Sequence, residues 1–215
     1  MQQLFSAKWE EKDGQRNFIP PTLRFKQADG SDFSDWEEKM AKKVFFSHSN
    51  KNHNGDLPIL SSSQKYGMIY REDSGIQIQS SEKSVKSYKI VEPGDFVISL
   101  RSFQGGIDYS SFRGICSPAY TILKNKEPIN DSFYRIYFKK ERFIERLSKT
   151  TVGIRDGKQI TFEAFGGLKI PYPCIEEQKR IAQFLCTIEK DIEITSLSIN
   201  SFTKFKKGLL QKMFV

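Results

Sequence analysis

The sequence predicts an α+β protein, a globular mixed-sheet domain followed by a long C-terminal coiled-coil helix. Three observations carry that expectation. From Ile181, alternating steps of four and three reach Leu185, Ile188, Ile192, Thr195, Ile199, Phe202, Lys206, Leu209 and Met213, and only Thr195 and Lys206 are not apolar. Such spacing keeps one stripe turned toward a partner helix over nearly five heptads. Short apolar runs at 57–60, 66–70, 85–91 and 96–100, bounded by turn residues, read as strands. Helix-capping residues precede two further segments with helical spacing. At about 1.5 Å per residue, a helix over 176–214 runs roughly 58 Å, longer than a domain of this size is wide. It therefore projects from the body.

Taken in chain order, the ends match each other. MQQLFS at 1–6 aligns with LQKMFV at 210–215, pairing Gln2 with Gln211, Leu4 with Met213 and Phe5 with Phe214. The first segment thus reads as the last turn of a preceding helix, and the chain as one period of a longer architecture. Residues 7–35 are polar, with Gly14, Pro20, Pro21 and Gly30, and form a connector with a short strand at 23–25. Asp35 is placed to cap a helix over 36–45. Glu37 and Glu38 in its first turn and Lys42 and Lys43 in its last suit the helix dipole. A polar loop covers 48–57. Glu92-Pro93-Gly94-Asp95 fits a type II turn, which makes 85–91 and 96–100 a hairpin. A strand follows at 120–123. Asn130 and Asp131 cap a helix through 132–149, with Phe133, Ile136, Tyr137, Ile144 and Leu147 broadly on one face. Gly153 and Gly157 enclose a basic turn, and a strand at 168–170 ends where Pro171 and Pro173 precede the long helix. The resulting division is 1–22 as an N-terminal linker, 23–172 as the globular domain and 173–215 as the helix.

Composition narrows the function classes. With 215 residues, 18 Phe and 8 Tyr, the chain holds one ordinary core plus the helix. A net charge of +8 and a pI near 9.3 favour an acidic partner, either nucleic acid or an anionic membrane surface. No apolar run reaches the length of a membrane span, and the first residues lack a secretory pattern, so a cytoplasmic location is expected. Cys116, Cys174 and Cys186 form no C-x-x-C pair, and His48 and His53 lie in a solvated loop. Neither a disulfide framework nor a metal site follows, and no cofactor is implied. The glycine-rich nucleotide motifs, the G-x-S-x-G elbow and H-E-x-x-H are absent. Ser62 to Lys65 matches S-x-x-K but sits in a serine run that reads as a turn. Asp95 with Glu82 could form a nuclease acidic pair, yet turn geometry accounts for Asp95 equally well. No catalytic residue is assigned.

What remains is a set of basic, amide, hydroxyl and aromatic side chains in glycine-containing loops. Lys65, Tyr66, Arg71, Arg101, Ser102, Gln104, Arg113, Arg155 and Lys158 are the candidates for contacting double-stranded DNA. These are side chains that read base edges and phosphates, and glycine lets the backbone approach. The terminal helix has its own asymmetry. Glu176, Glu177, Glu189, Asp191 and Glu193 lie in its first half, and Lys204, Lys206, Lys207 and Lys212 in its second. A second copy laid antiparallel would set acid against base, so Ile181, Leu185, Ile188, Ile192, Ile199, Phe202, Leu209 and Met213 are the expected homodimer seam. Alternatively, the lysines complement the helix C-terminal dipole.

Several stretches together resemble a known family. Trp36-Glu37-Glu38-Lys39 after LRF at 23–25, VEPGDFVISLRSFQGGI, GICSPAY at 114–120, and above all IPYPCIEEQKRIAQFL leading to KKGLLQKMF are similar to the DNA specificity subunit of type I restriction-modification enzymes. The similarity runs from about residue 23 to 214. Its most specific part is Pro-x-x-x-Glu-Gln-x-x-Ile-Ala-x-x-Leu at 173–185. The resemblance implies a noncatalytic target-recognition domain followed by a spacer helix, with methyltransferase and restriction subunits as partners. Such subunits usually hold two recognition domains that read a split site, separated by two antiparallel helices. One domain and one helix here imply a half subunit, or the second half of a whole one, that pairs through its helix. A noncatalytic coiled-coil scaffold and a truncated inactive remnant are the alternative readings.

Overall fold

The computed structural model describes residues 8–12, 15–75, 85–151 and 159–213. All its strand ladders are antiparallel. Strands β1 (Lys8–Lys12) and β2 (Gln15–Ile19) pair with each other. The segment expected to be a connector therefore begins with a hairpin. No strand forms at 23–25, where only residue 23 makes an isolated bridge; another isolated bridge follows between Lys26 and Asp32.

The helix expected over 36–45 is mostly strand. Chain 37–48 runs as β3 (Glu37–Met40), one turn of α1 (Ala41–Val44) and β4 (Phe45–His48). β3 pairs with β12 (Lys169–Tyr172), Lys39 opposite Ile170 and Glu37 opposite Tyr172. Glu38 reaches Lys169 at 2.7 Å, and the Lys39 ammonium stands 3.7 Å from the centre of the Tyr172 ring. A partner strand about 130 residues away along the chain overrides the local charge order. Asp35 caps nothing: its side chain is 97% exposed and lies 3.5 Å from Arg24. Pro171, expected to end its strand, sits inside β12, where its missing N–H is harmless because that two-stranded ladder has an open side.

Strands β5 (Leu60–Ser63) and β6 (Gly67–Tyr70) make a hairpin, followed by a 3-10 turn at Arg71–Ser74. The turn expected at Glu92 to Asp95 is present, with Gly94 at φ 96° and the Asp95 N–H donating to Glu92 O at 3.1 Å. The strands beside it do not pair with each other, however. β7 (Lys89–Val91) joins β10 (Gly114–Cys116), whereas β8 (Phe96–Ile98) lies between β9 (Asp108–Tyr109) and β11 (Thr121–Asn125). The main sheet has the order β4-β11-β8-β9. A one-turn helix α2 (Ser102–Gly105) links β8 to β9.

The helix expected through 132–149 is two: α3 (Asp131–Tyr137) and α4 (Glu141–Ser148). Asn130 caps α3 as expected, its Oδ1 accepting from the Phe133 N–H at 3.0 Å. The break falls at Phe138, which is fully buried with ring centres 5.3 Å from Phe96 and 4.9 Å from Phe143. After α5 (Phe162–Gly166) and β12, the last helix α6 runs through Ile175–Met213. The main core is aromatic, built from Phe45, Phe96, Tyr134, Phe138, Phe143 and Phe165, and Ile181 and Ala182 of α6 belong to it. No helix of the described residues is long and apolar enough to cross a membrane.

Candidate nucleic-acid interface

The β5–β6 hairpin presents Gln64, Lys65 and Tyr66 at its tip. All three are exposed, Tyr66 at 67%. The Lys65 ammonium lies 4.9 Å from the centre of the Tyr66 ring, and its hydrogen bond to Tyr66 raises it above the ordinary lysine value. Gly67 closes the tip at φ 76°, where a Cβ would stand 2.5 Å from Tyr109 O. Glycine is therefore required twice, for its backbone angle and for the close approach. Beside the tip runs the α2 turn. A Cβ on Gly105 would come within 2.7 Å of Gln64 Cγ, so the two loops touch through a residue that has no side chain.

That contact brings Lys65 and Tyr66 alongside the turn carrying Arg101 and Gln104, both exposed. Ser102 does not share this surface. It is fully buried, and its Oγ accepts from the Ser99 N–H at 2.9 Å, so it shapes the turn from inside. Arg71 and Arg113 lie at the far end of β6. Arg71 is directed at Tyr88, its Nη2 3.4 Å from the hydroxyl, while Arg113 meets Glu92 at 3.3 Å. The Tyr70 and Phe112 rings, 4.7 Å apart, join these two flanks. Arg155 and Lys158, with the basic stretch around them, lie outside the described residues, as do Glu82, the whole of the N-terminal echo at 1–6 and the last two residues of the C-terminal one, 214 and 215.

The buried acids near this surface are paired with lysine. Asp108, whose carboxylate accepts from Ser62 of the hairpin, holds Lys139 at 2.7 Å, and Asp95, in the turn at the other end of β8, holds Lys124 at 2.8 Å; both are nearly excluded from solvent. Cys116 is also buried, and its thiol is pushed up to about 12. Among the described residues no group of three His, Cys, Asp or Glu could hold a metal ion.

A second constellation fastens α6 to the domain, and pattern reading did not find its roles. The Glu177 carboxylate, fully buried, accepts from Arg24 Nε at 3.0 Å and Nη2 at 2.8 Å and from Trp36 Nε1 at 2.8 Å. It raises Arg24 above the ordinary arginine value. Gln178, equally buried, accepts from the Asn130 N–H at 2.9 Å and donates to Pro173 O at 2.8 Å. A signal for both existed. Stepping back four or three residues from Ile181 lands on Glu177 and Gln178, so the apolar stripe continues into two polar side chains that must have partners when buried. Farther along, Arg180 donates to Lys26 O at 2.9 Å, Phe25 and Phe184 meet edge to face at 5.6 Å, and Arg135 holds Glu189 at 2.7 Å.

The stripe expected to form a dimer seam is consequently divided. Ile181 is buried in the domain's own core, and Leu185 and Ile188 are half-buried. Ile192, Ile199, Phe202, Leu209 and Met213 are exposed, with Ile194, Leu197, Phe205 and Leu210 exposed beside them.

Comparison with known proteins converges on one class. The model of the type I restriction modification DNA specificity domain matches residues 33–202. Over 127 residues the chain is 32% identical to the type I restriction enzyme MjaVIII specificity subunit of Methanocaldococcus jannaschii, covering 58% of this chain and 29% of that protein. A putative type I restriction enzyme MjaX specificity subunit of the same organism is 27% identical over 163 residues, 75% of this chain and 36% of that one. Two solved structures share the fold at 19% identity. One, from a type I R-M system described for its assembly and conformational transition, has a TM-score of 0.52 over 80% of this chain and 43% of its own. The other, the HsdS subunit from Thermoanaerobacter tengcongensis, has a TM-score of 0.50 over 80% and 42%. The chain thus spans about a third of these curated relatives and under half of the solved chains.

Proposed function

Because the chain belongs to the family of type I restriction-modification DNA specificity domains, matched over 33–202, we propose that it is a noncatalytic DNA-recognition chain of such a system. In this reading the domain at 23–172 reads one half of a split duplex site, with Lys65, Tyr66, Arg101 and Gln104 at the centre of the contact. Arg71 and Arg113 flank it, and Arg155 and Lys158 contribute from the segment that follows α4 in the sequence. The helix at 173–215 pairs with a second copy and sets the distance between half-sites. Two copies related by a two-fold axis then address a palindromic split site and bring methyltransferase and restriction subunits to it.

The observation that carries this reading is the exposed tip where Lys65 and Tyr66 lie beside the turn bearing Arg101 and Gln104, above the Asp108 carboxylate already paired with Lys139. Such a surface offers cations to phosphates and planar groups to base edges. Sequencing methylated bases in cells that co-express the chain with its methyltransferase subunit tests it. A methylated split palindrome is expected. An unmethylated genome, with the methyltransferase folded and bound to the chain, rules the reading out.

A further inference from the structure

Beneath the tip and the α2 turn lies one charge that both loops share. Asp108 on β9 has a side chain only 3% exposed. Its Oδ2 accepts from Ser62 Oγ of β5 at 2.6 Å, and its Oδ1 from Lys139 Nζ at 2.7 Å. Lys139 stands in the break between α3 and α4, and the same ammonium donates to Gly105 O of α2 at 2.9 Å. Ser62 Oγ also lies 3.0 Å from Ser99 Oγ, next to the Ser102 hydroxyl that closes the α2 turn. The hairpin carrying Lys65 and Tyr66 and the turn carrying Arg101 and Gln104 are therefore both tied to one ion pair.

An uninterrupted helix would carry residue 139 onward around the helix surface, whereas the break frees it to point inward. The pair also has an electrostatic consequence. Without its lysine, Asp108 would place a buried, uncompensated negative charge under a surface that meets phosphates. Reading base edges further requires side chains on two loops to keep a fixed relative position, and a common anchor supplies that.

We propose that the Lys139–Asp108 pair is a positioning device for DNA reading. It holds the hairpin tip and the α2 turn in one register and screens the carboxylate, without touching DNA itself. This rests on the reading of the chain as a DNA-recognition chain, so its test has one arm that needs no DNA.

In the first arm, hydrogen exchange is followed on the full chain alone. Lys139→Met should speed exchange in 60–70 and 101–106 together while the start of α6 keeps its protection, and Lys139→Arg should restore both. Loosening of one segment without the other overturns the common anchor. In the second arm, the chain with its methyltransferase subunits captures DNA from a randomised duplex pool. The parent should enrich a motif. Lys139→Met should bind it about tenfold more weakly, with fewer specified positions but an unchanged salt slope, because the phosphate contacts are untouched. The same motif at the same affinity in Lys139→Met would reduce the pair to a purely structural bond. If the parent enriches nothing while the two loops still loosen together, the common anchor stands and the DNA-recognition reading fails.

Discussion

The two halves of α6 share one heptad pattern and have opposite surroundings. Up to Glu189 the helix is held by its own domain through a buried carboxylate, a buried amide, apolar side chains and a terminal ion pair. From Lys190 to Met213 every residue except Gly208 is exposed, including five of the eight residues of the expected seam. The same 4-3 spacing thus serves two purposes, intramolecular docking first and an uncovered apolar stripe afterwards. What separates them is the polar pair at the start, Glu177 and Gln178, which has partners only within this domain.

The largest effect expected from this contrast is at Glu177. Glu177→Ala takes the buried carboxylate from the part-buried Arg24 guanidinium, which keeps only the Phe33 and Ser34 carbonyls and the exposed Asp35, and leaves the Trp36 N–H without its acceptor. The expected loss is about 3–5 kcal/mol in chemical denaturation. A loss below about 1 kcal/mol would mean that α6 does not depend on the latch. Ile181→Ala should cost about 2–5 kcal/mol, because the side chain is 1% exposed in the main core. Gln178→Ala should cost about 1–3 kcal/mol by stranding the Asn130 N–H and the Pro173 carbonyl. On the outer half, Phe202→Asp should change the domain's stability by no more than about 0.5 kcal/mol. Its effect should appear instead in sedimentation, as self-association lost at concentrations where the parent is dimeric. A parent that stays monomeric at tens of micromolar removes pairing through α6 alone.

The smallest effect concerns α3, on which the held half of α6 rests. Burial raises the Asp131 carboxyl above its ordinary value, although a hydrogen bond from Tyr109 opposes this. A carboxyl that is harder to ionise in the folded state favours folding while it keeps its proton. That contribution fades as pH rises from the ordinary carboxylate value through the folded one. Asp131→Asn should therefore gain stability relative to the parent between acid and neutral pH, in denaturation series run across that window. A difference that is flat with pH contradicts the burial of that carboxyl.

How much of this was readable in advance differs by element. α6 was legible because a 39-residue helix with a repeating stripe is specified by its own neighbours. The Pro93-Gly94 turn and the Asn130 cap were legible for the same reason, since each is closed within four residues. The strand at 37–40 was not, because its partner is β12. The hairpin read across Pro93-Gly94 failed although its turn was right: β7 and β8 diverge to β10 and β11, and a turn does not choose the ladder. Of the residues picked by side-chain chemistry for DNA contact, Lys65, Tyr66, Arg101 and Gln104 are exposed, whereas Ser102 turns inward to cap its own loop. The framework residues Arg24, Trp36 and Glu177 were visible as pieces of separate motifs, and only folding brings them together.

By itself, then, the sequence determined the α+β class, the basic and aromatic character of the loops, the long helix and its stripe, and the family. All of these depend on composition or on residues near one another along the chain. The tertiary structure decided which strands pair, where the 132–149 helix breaks, which half of the stripe is covered, and which charges go under the surface. Those outcomes depend on partners such as Arg24 and Glu177, 153 residues apart, or Lys139 and Asp108, 31 apart. No local pattern encodes such a meeting, because the free energy of burying a charge is settled only when its counter-charge arrives from elsewhere in the fold.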